Sequence, residues 1–182
     1  MHYFLLLILI AFQVESTSNE WLIDFGKQDS DAYWGVQVDG VMGGLSTGRS
    51  VLSDSSLIFT GDISLRNNGG FSSLRSQYGR YDLARFDSVE IRIRLTGQQF
   101  SFTLAKDRRF WVPNYKSEII NESENWKTHV FSLDNFKEYR VGNPTGDMIN
   151  ENIQSRIIEM GFINEGKKEG VFTLELDYVR FF

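Results

Sequence analysis

The sequence predicts an all-β protein: a two-sheet β-sandwich carrying at most one short helix. Three observations lead there. Segment after segment alternates apolar and polar residues with period two, as half-buried strands do. Aromatic residues make up 14 % of the chain, fifteen of them Phe, and only two prolines interrupt it, a composition suited to pleated, half-buried surfaces. The segments are also short and punctuated by Gly, Asn and Asp turn signals, as in sandwiches rather than alternating βαβ units. The 182 residues suffice for one domain with its own core. No repeat, linker or low-complexity tract divides them, so a single domain is expected over residues 19–182.

The stretch before that domain reads differently. Phe4 to Phe12 is an apolar run of nine residues, followed by polar Gln13 to Ser18. As a helix it rises about 14 Å, roughly half of what a bilayer core requires. Residues 1–18 are therefore expected to be a signal peptide, cleaved near Ser16 or Ser18, which places the protein outside the cytoplasm, periplasmic or secreted. A hydrophobic first strand is the alternative, because only His2 and the α-amine precede the run. A mitochondrial presequence, Arg-rich and amphipathic, does not fit.

The remaining elements follow in order. Trp21, Ile23 and Phe25 share one face of a first strand, and Trp34, Val36 and Val38 one face of a second. Leu57 to Gly61, with Ile63 and Leu65, makes another. Val89, Ile91, Ile93 and Leu95 alternate with Glu90, Arg92 and Arg94; Thr96-Gly97-Gln98 interrupts them and Phe100, Phe102 and Leu104 resume, which predicts a hairpin with one face buried. Trp126 to Leu133 is a strand whose inner face the pattern leaves open. Ile149, Ile153, Ile157 and Met160 recur at three to four residues, predicting one helix over Asp147 to Ile157 with Asp147 as its cap. It leads into a strand at Ile158 to Ile163. Phe172, Leu174, Leu176 and Tyr178 close the chain, and roughly nine or ten strands are expected in all.

Composition excludes several chemistries. There is no cysteine, hence no disulfide and no thiolate nucleophile or metal ligand. A net charge of −5, with cations spread along the chain, disfavours nucleic acid. His129 is the sole histidine after the leader, which nearly excludes histidine-based triads and metal clusters. Carboxylates such as Glu90, Glu175 and Asp177 are candidates for a glycosidase pair, but nothing selects them. Asp24, Asp29, Asp31 and Asp177 are the nearest approach to calcium ligands, without a loop signature. No metal, cofactor or catalytic residue is expected. Asn121-Glu122-Ser123 is a glycosylation sequon.

Two glycine-rich loops stand out: Val36 to Ser50, containing Gly40, Gly43, Gly44 and Gly48, and Asn67-Asn68-Gly69-Gly70. The first lacks the Gly-Lys-Ser/Thr ending of a phosphate loop and leads into a strand, not a helix. Either Asp39 and Ser46 line a rim loop that hydrogen-bonds a ligand, or Asp39-Gly40 turns the chain and Met42 enters the core. In the second, positive-φ turn chemistry leads into a strand on which Phe71, Ser73 and Arg75 share a face. That face would suit a carboxylate, phosphate or sugar; the plainer alternative pairs Arg75 with an aspartate across strands. A third candidate surface is Lys106-Asp107-Arg108-Arg109-Phe110-Trp111, followed by Tyr115 and Lys116, where cations neighbour aromatics. A solvated hairpin end is its alternative.

Asp39-Gly40-Val41-Met42-Gly43-Gly44-Leu45-Ser46 resembles a signature of the complex I (NADH:ubiquinone oxidoreductase) intermediate-associated protein family. The likeness continues in register through Leu57 to Leu65, Asn67 to Arg75, the strand at Trp126 and Gly170-Val171-Phe172. The resemblance implies a galactose-binding-like jelly-roll sandwich. Eukaryotic members are associated with respiratory complex I assembly in mitochondria, without known catalysis. This chain departs from them in its export-like leader, and from relatives joined to dehydrogenase-like Rossmann domains by lacking that partner. The expectation is a non-catalytic binding or assembly domain acting on a protein partner, membrane-complex subunits included. Its candidate binding residues are Asp39, Ser46, Asn68, Phe71, Ser73, Arg75, Arg109 and Trp111. The alternatives are a carbohydrate-binding module stacking sugars on Trp111, Tyr115, Tyr78 or Tyr81, and a carboxylate-dependent hydrolase.

Overall fold

The computed structural model describes residues 19–27, 33–120, 124–166 and 168–182. The expected signal peptide, Asp29, Asp31 and the sequon lie outside them. The strands are β1 (Trp21–Asp24), β2 (Gly35–Val38), β3 (Thr47–Leu52), β4 (Leu57–Ile63), β5 (Ser72–Arg75), β6 (Ser88–Thr96), β7 (Gln99–Ala105), β8 (Asn114–Ile119), β9 (Lys127–Ser132), β10 (Lys137–Arg140), β11 (Asn143–Met148), β12 (Glu159–Glu165) and β13 (Gly170–Phe181). They form two antiparallel sheets. The first runs β3-β4-β13-β6-β9, with β1 pairing the far end of β13; the second runs β11-β10-β8-β7-β12-β5-β2.

The alternation that predicts these strands is what builds the core. Val89, Ile91, Ile93 and Leu95 of β6 and Phe172, Leu174, Leu176, Val179 and Phe181 of β13 are buried, facing Phe100, Phe102, Leu104, Leu74, Met160 and Phe162 of the second sheet. Apolar side chains removed from water between two sheets supply the main driving force. Along β13 the alternation shifts once, at a bulge between Leu176 and Tyr178, so Val179 and Phe181 point inward where an unbroken period would turn them out.

Three expectations need correction. β6 and β7 are not a hairpin: β6 pairs with β13 and β9, β7 with β8 and β12, so the chain crosses between sheets at Gly97-Gln98. Gly97 has φ +84°, and a Cβ there would lie 2.1 Å from the Val171 carbonyl oxygen. The turn signal is genuine, but both strands bury an apolar face, and two sheets satisfy both at once. The helix spans only Glu151–Gln154 (α1), and its N-cap is Asn150, whose side chain accepts from the Ile153 N–H at 3.1 Å. Asp147 belongs to β11, which pairs with β10. Ile149, Ile153 and Ile157 are nevertheless buried, so the helical spacing marks a core contact without a long helix. Finally, thirteen strands are present among the described residues; β8, β10 and β11 carry too few apolar residues to show a period. Pairing with β6 also decides the open face of β9: Lys127, His129 and Phe131 lie opposite Ile93, Ile91 and Val89, while Val130 is exposed.

Candidate functional site

The two glycine loops converge on Asp39. Its side chain is 2 % exposed, and four donors satisfy it: the Ser46 N–H at 3.0 Å, the Ser46 hydroxyl at 2.5 Å, and the N–H groups of Gly70 at 2.6 Å and Phe71 at 3.2 Å. Burial pushes this carboxyl up, but the hydrogen bonds from Ser46, Gly70 and Phe71 together outweigh it and hold it below the usual carboxylate value. The glycines follow from that knot. A Cβ on Gly44 would sit 2.3 Å from the Asp39 carboxyl carbon, and one on Gly69 2.6 Å from its Oδ2. Asn67 and Asn68 take φ of 56° and 58°, and the Asn67 side-chain amide donates to the Gly43 carbonyl at 3.1 Å. Asp39 and Ser46 thus sit inside, their polar atoms engaged, while Asn68 is exposed and Phe71 half-buried at the same end of the sandwich.

The other end of β5 meets a different surface, the outer face of the second sheet. The pairing register lays its residues out in rows across the strands. One row reads Glu159, Ala105, Asn114, Tyr139. The next reads Gly35, Arg75, Gly161, Thr103, Lys116, Lys137. The third reads Gln37, Ser73, Ile163, Ser101, Glu118. Although these side chains point away from the core, Ser73 is only 2 %, Ser101 0 % and Lys116 8 % exposed: the face is recessed. Gly161 leaves its floor bare, because a Cβ there would approach the Leu74 carbonyl oxygen to 2.5 Å.

Arg75 anchors this face. Its Nε donates to Ser73 Oγ at 3.0 Å, the Ser73 hydroxyl donates to the Gln37 carbonyl at 3.0 Å, and Nη1 reaches Glu159 Oε1 at 3.4 Å. The partner of Arg75 is therefore a glutamate. Burial pushes the Glu159 carboxyl above its ordinary value; Arg75, the Tyr78 hydroxyl and Arg108 act in the opposite sense. Burial and then the Glu159 charge push the Tyr78 hydroxyl up. The Arg108 guanidinium lies 4.2 Å from the Tyr78 ring centroid, and Lys116 Nζ lies 4.6 Å from that of Tyr139, both cation–π distances. The chain Arg75–Glu159–Tyr78–Arg108 joins two surfaces that look separate in the sequence, the β5 face and the basic-aromatic loop. Glu159, Tyr139 and Ser101 escaped sequence reasoning. Their one signal, placement on the polar side of a strand, applies to every outer residue.

The 106–113 loop itself is divided. Arg109 folds back on Asp107, Nε to Oδ1 at 2.9 Å and Nη2 to Oδ2 at 2.6 Å, which holds the Asp107 carboxyl well below the usual range. Phe110 and Trp111 are 70 % and 54 % exposed and pack edge to face. Tyr115 is not available for stacking: it points inward, 0 % exposed, and its hydroxyl donates to Glu138 at 2.8 Å. Tyr81 stacks on Trp21 at 5.5 Å.

The first sheet's outer face is paired internally. Arg92 holds Asp177, Arg94 holds Glu175, and Arg180 holds Glu90, with Trp126 beneath Arg92 and Arg94. The carboxylates considered for hydrolysis are thus engaged by arginines. Asp24 is engaged too, by the Gly26 N–H and Lys27. His129 stacks on Phe131; burial, then Lys127, lower its basicity. Among the described residues no group of three or more His, Asp or Glu could hold a metal ion.

The model of the family described as Complex I intermediate-associated protein 30 matches residues 23–176. Among solved structures, the chain is similar to the family 11 carbohydrate-binding module of the cellulosomal cellulase Lic26A-Cel5E of Clostridium thermocellum, at 15 % identity and TM-score 0.65 over 89 % of this chain and 93 % of that one. It is similar to the Clostridium thermocellum family 11 module in complex with a β-1,3-1,4-mixed-linked tetrasaccharide as well, at 16 % identity and TM-score 0.64 over 89 % and 94 %. At these identities the likeness establishes the jelly-roll fold. No curated protein sequence matches.

Proposed function

This chain belongs to the complex I intermediate-associated protein 30 family, and from that premise we propose that it is a non-catalytic binding domain, working outside the cytoplasm, that takes a polysaccharide segment on the outer face of its second sheet. The observation that carries this reading is the recessed, polar, row-like layout of that face, with tyrosine rings at Tyr78 and Tyr139. A sugar chain presents dense hydroxyls beside apolar ring faces, so it calls for donors and acceptors interleaved with aromatics. Thr103, Asn114, Gln37, Ser101 and Glu159 supply the former. Glu159 and Glu118 lie about 17 Å apart by strand geometry, well beyond the roughly 5–9.5 Å of a glycosidase pair, which supports binding without cleavage.

The test is calorimetric titration of the protein with a β-1,3-1,4-mixed-linked tetrasaccharide, extended to a glycan array. Binding that Tyr78→Ala removes and Trp111→Ala leaves intact is the expected result, and a blank array overturns the reading. The exposure of Phe110 and Trp111 favours a second reading, a protein partner of the kind the family name implies. Capture of a protein that Trp111→Ala abolishes and Tyr78→Ala spares would establish it.

A further inference from the structure

We propose that the end of the sandwich carrying the 106–113 loop is a docking rim for an anionic lipid bilayer. It adjoins the polysaccharide face at Tyr78, but stands whether or not that face binds sugar.

The exposed rings collect at this end. Among the described residues the exposed aromatics are Tyr33, Tyr78, Phe110, Trp111 and Phe182, and the first four lie beyond one end of the second sheet. The row Glu159, Ala105, Asn114, Tyr139 marks that end. Past it, Phe110 and Trp111 sit in the loop from β7 to β8, and Val141 at the turn from β10 to β11; Tyr78 follows β5 and Tyr33 precedes β2. From β2 to β11 are six strand spacings, about 29 Å, so these side chains form a line of separate tips, not one closed patch. A protein interface requires a contiguous centre shut off from water. A bilayer surface accepts separate tips, since each ring sinks among the headgroups on its own.

Charge also sets this end apart. Segments 33–34, 76–81, 106–113 and 140–143, which carry those side chains, hold Arg80, Lys106, Arg108, Arg109 and Arg140 against Asp107 alone, in a protein of net charge −5. Arg109 engages Asp107, and Glu159, just behind, is held by Arg75. Arg80, Arg108 and Arg140 are exposed. Cations beside Trp and Phe at one level are what a layer of anionic headgroups attracts.

The local geometry agrees. The Asp107–Arg109 pair and the Arg109 carbonyl, which accepts from the Val112 N–H at 3.0 Å, brace the loop, so Phe110 and Trp111 are presented with little ordering left to lose. Val141 and Gly142, between the paired Arg140 and Asn143, have φ of 48° and 80°, a hairpin turn that favours Asn-Gly. A β-branched residue is strained there, and Val141, 58 % exposed, gains no burial in return. Set among headgroups, it does.

The experiment is flotation of residues 19–182, which contain the whole core, so that the apolar run Phe4 to Phe12 supplies no lipid contact. The vesicles are phosphatidylcholine alone and phosphatidylcholine with about 30 % phosphatidylglycerol, at about 0.05 M and about 0.5 M salt. Binding to the anionic vesicles is expected, weakened by salt. The double variant Phe110→Ser, Trp111→Ser should weaken it at least about tenfold, and Arg80→Gln and Arg140→Gln about fivefold each. Val141→Gly should weaken it too while leaving the urea midpoint unchanged or raised, which a purely structural role for Val141 does not produce. Arg49→Gln and Val130→Ser, on the outer face of the first sheet, should leave flotation intact. Absence of flotation overturns the proposal, as does flotation indifferent to the double variant. Equal binding to neutral vesicles, unaffected by Arg140→Gln, overturns the anionic assignment. Capture of a protein that Trp111→Ala abolishes, with no vesicle binding, makes the rim a protein interface instead.

Discussion

Replacing Asp39 by alanine separates a structural carboxylate from a ligand-binding one. The wild-type side chain accepts from two N–H groups of the second loop and from the N–H and hydroxyl of Ser46. Hydrogen bonds to a charged acceptor contribute roughly 1.5–3 kcal/mol each, so four at the lower end come to about 6 kcal/mol. The Gly70 and Phe71 donors are only part-buried, and water reaching them after the substitution offsets some of the loss. The expected destabilisation is about 4 kcal/mol, with about 2 kcal/mol for Asp39→Asn, which keeps one acceptor oxygen. Urea unfolding at pH 7, followed by the fluorescence of buried Trp34, reads this directly. With a slope of about 2 kcal/mol per molar urea, the alanine midpoint should fall by about 2 M. A loss under about 1 kcal/mol, accompanied by loss of ligand capture, would refute the reasoning and return Asp39 to the binding site.

The glycines and the carboxylates give further tests. Gly44→Ala drives a Cβ to 2.3 Å from the Asp39 carboxyl carbon, and Gly97→Ala both collides with Val171 and forces alanine to φ +84°; each should cost about 2–4 kcal/mol in the same urea assay. Asp39, with its carboxyl held low, contributes stability that is complete above its unfolded value near 3.8 and lost as pH falls through the lower folded value. Glu159, pushed above 4.5, contributes the other way: its stabilisation is complete below that value and lost as pH rises through the folded one. Acidification below pH ~4 should therefore lower the urea midpoint of the wild type, less in Asp39→Asn and more in Glu159→Gln.

The sequence by itself determined the class of fold, because alternation along one strand is a local property and needs no knowledge of the strand's partner. It placed the core on Val89 to Leu95 and Phe172 to Leu176, and marked Gly44, Gly69 and Gly97 as points where the backbone does something a side chain forbids. What it left undecided is everything that depends on which segments become neighbours. The turn at Gly97 signals a reversal but carries no sign of whether the next strand returns to the same sheet; only packing both apolar faces at once sends β7 across. In the sequence Asp39 reads as a rim ligand or as the start of a turn, and only Gly70 and Phe71, some thirty residues on, make it a hydrogen-bonded knot by donating to it. Arg75, Glu159, Tyr78 and Arg108 are scattered over more than eighty positions, and strand register, with the segments that follow β5 and β7, gathers them on one recessed face beside Lys116 and Lys137. Local steric and hydrophobic preferences act over a few residues and are written where they act. A surface for a ligand is made by long-range pairing, and exists only once the sheets have closed.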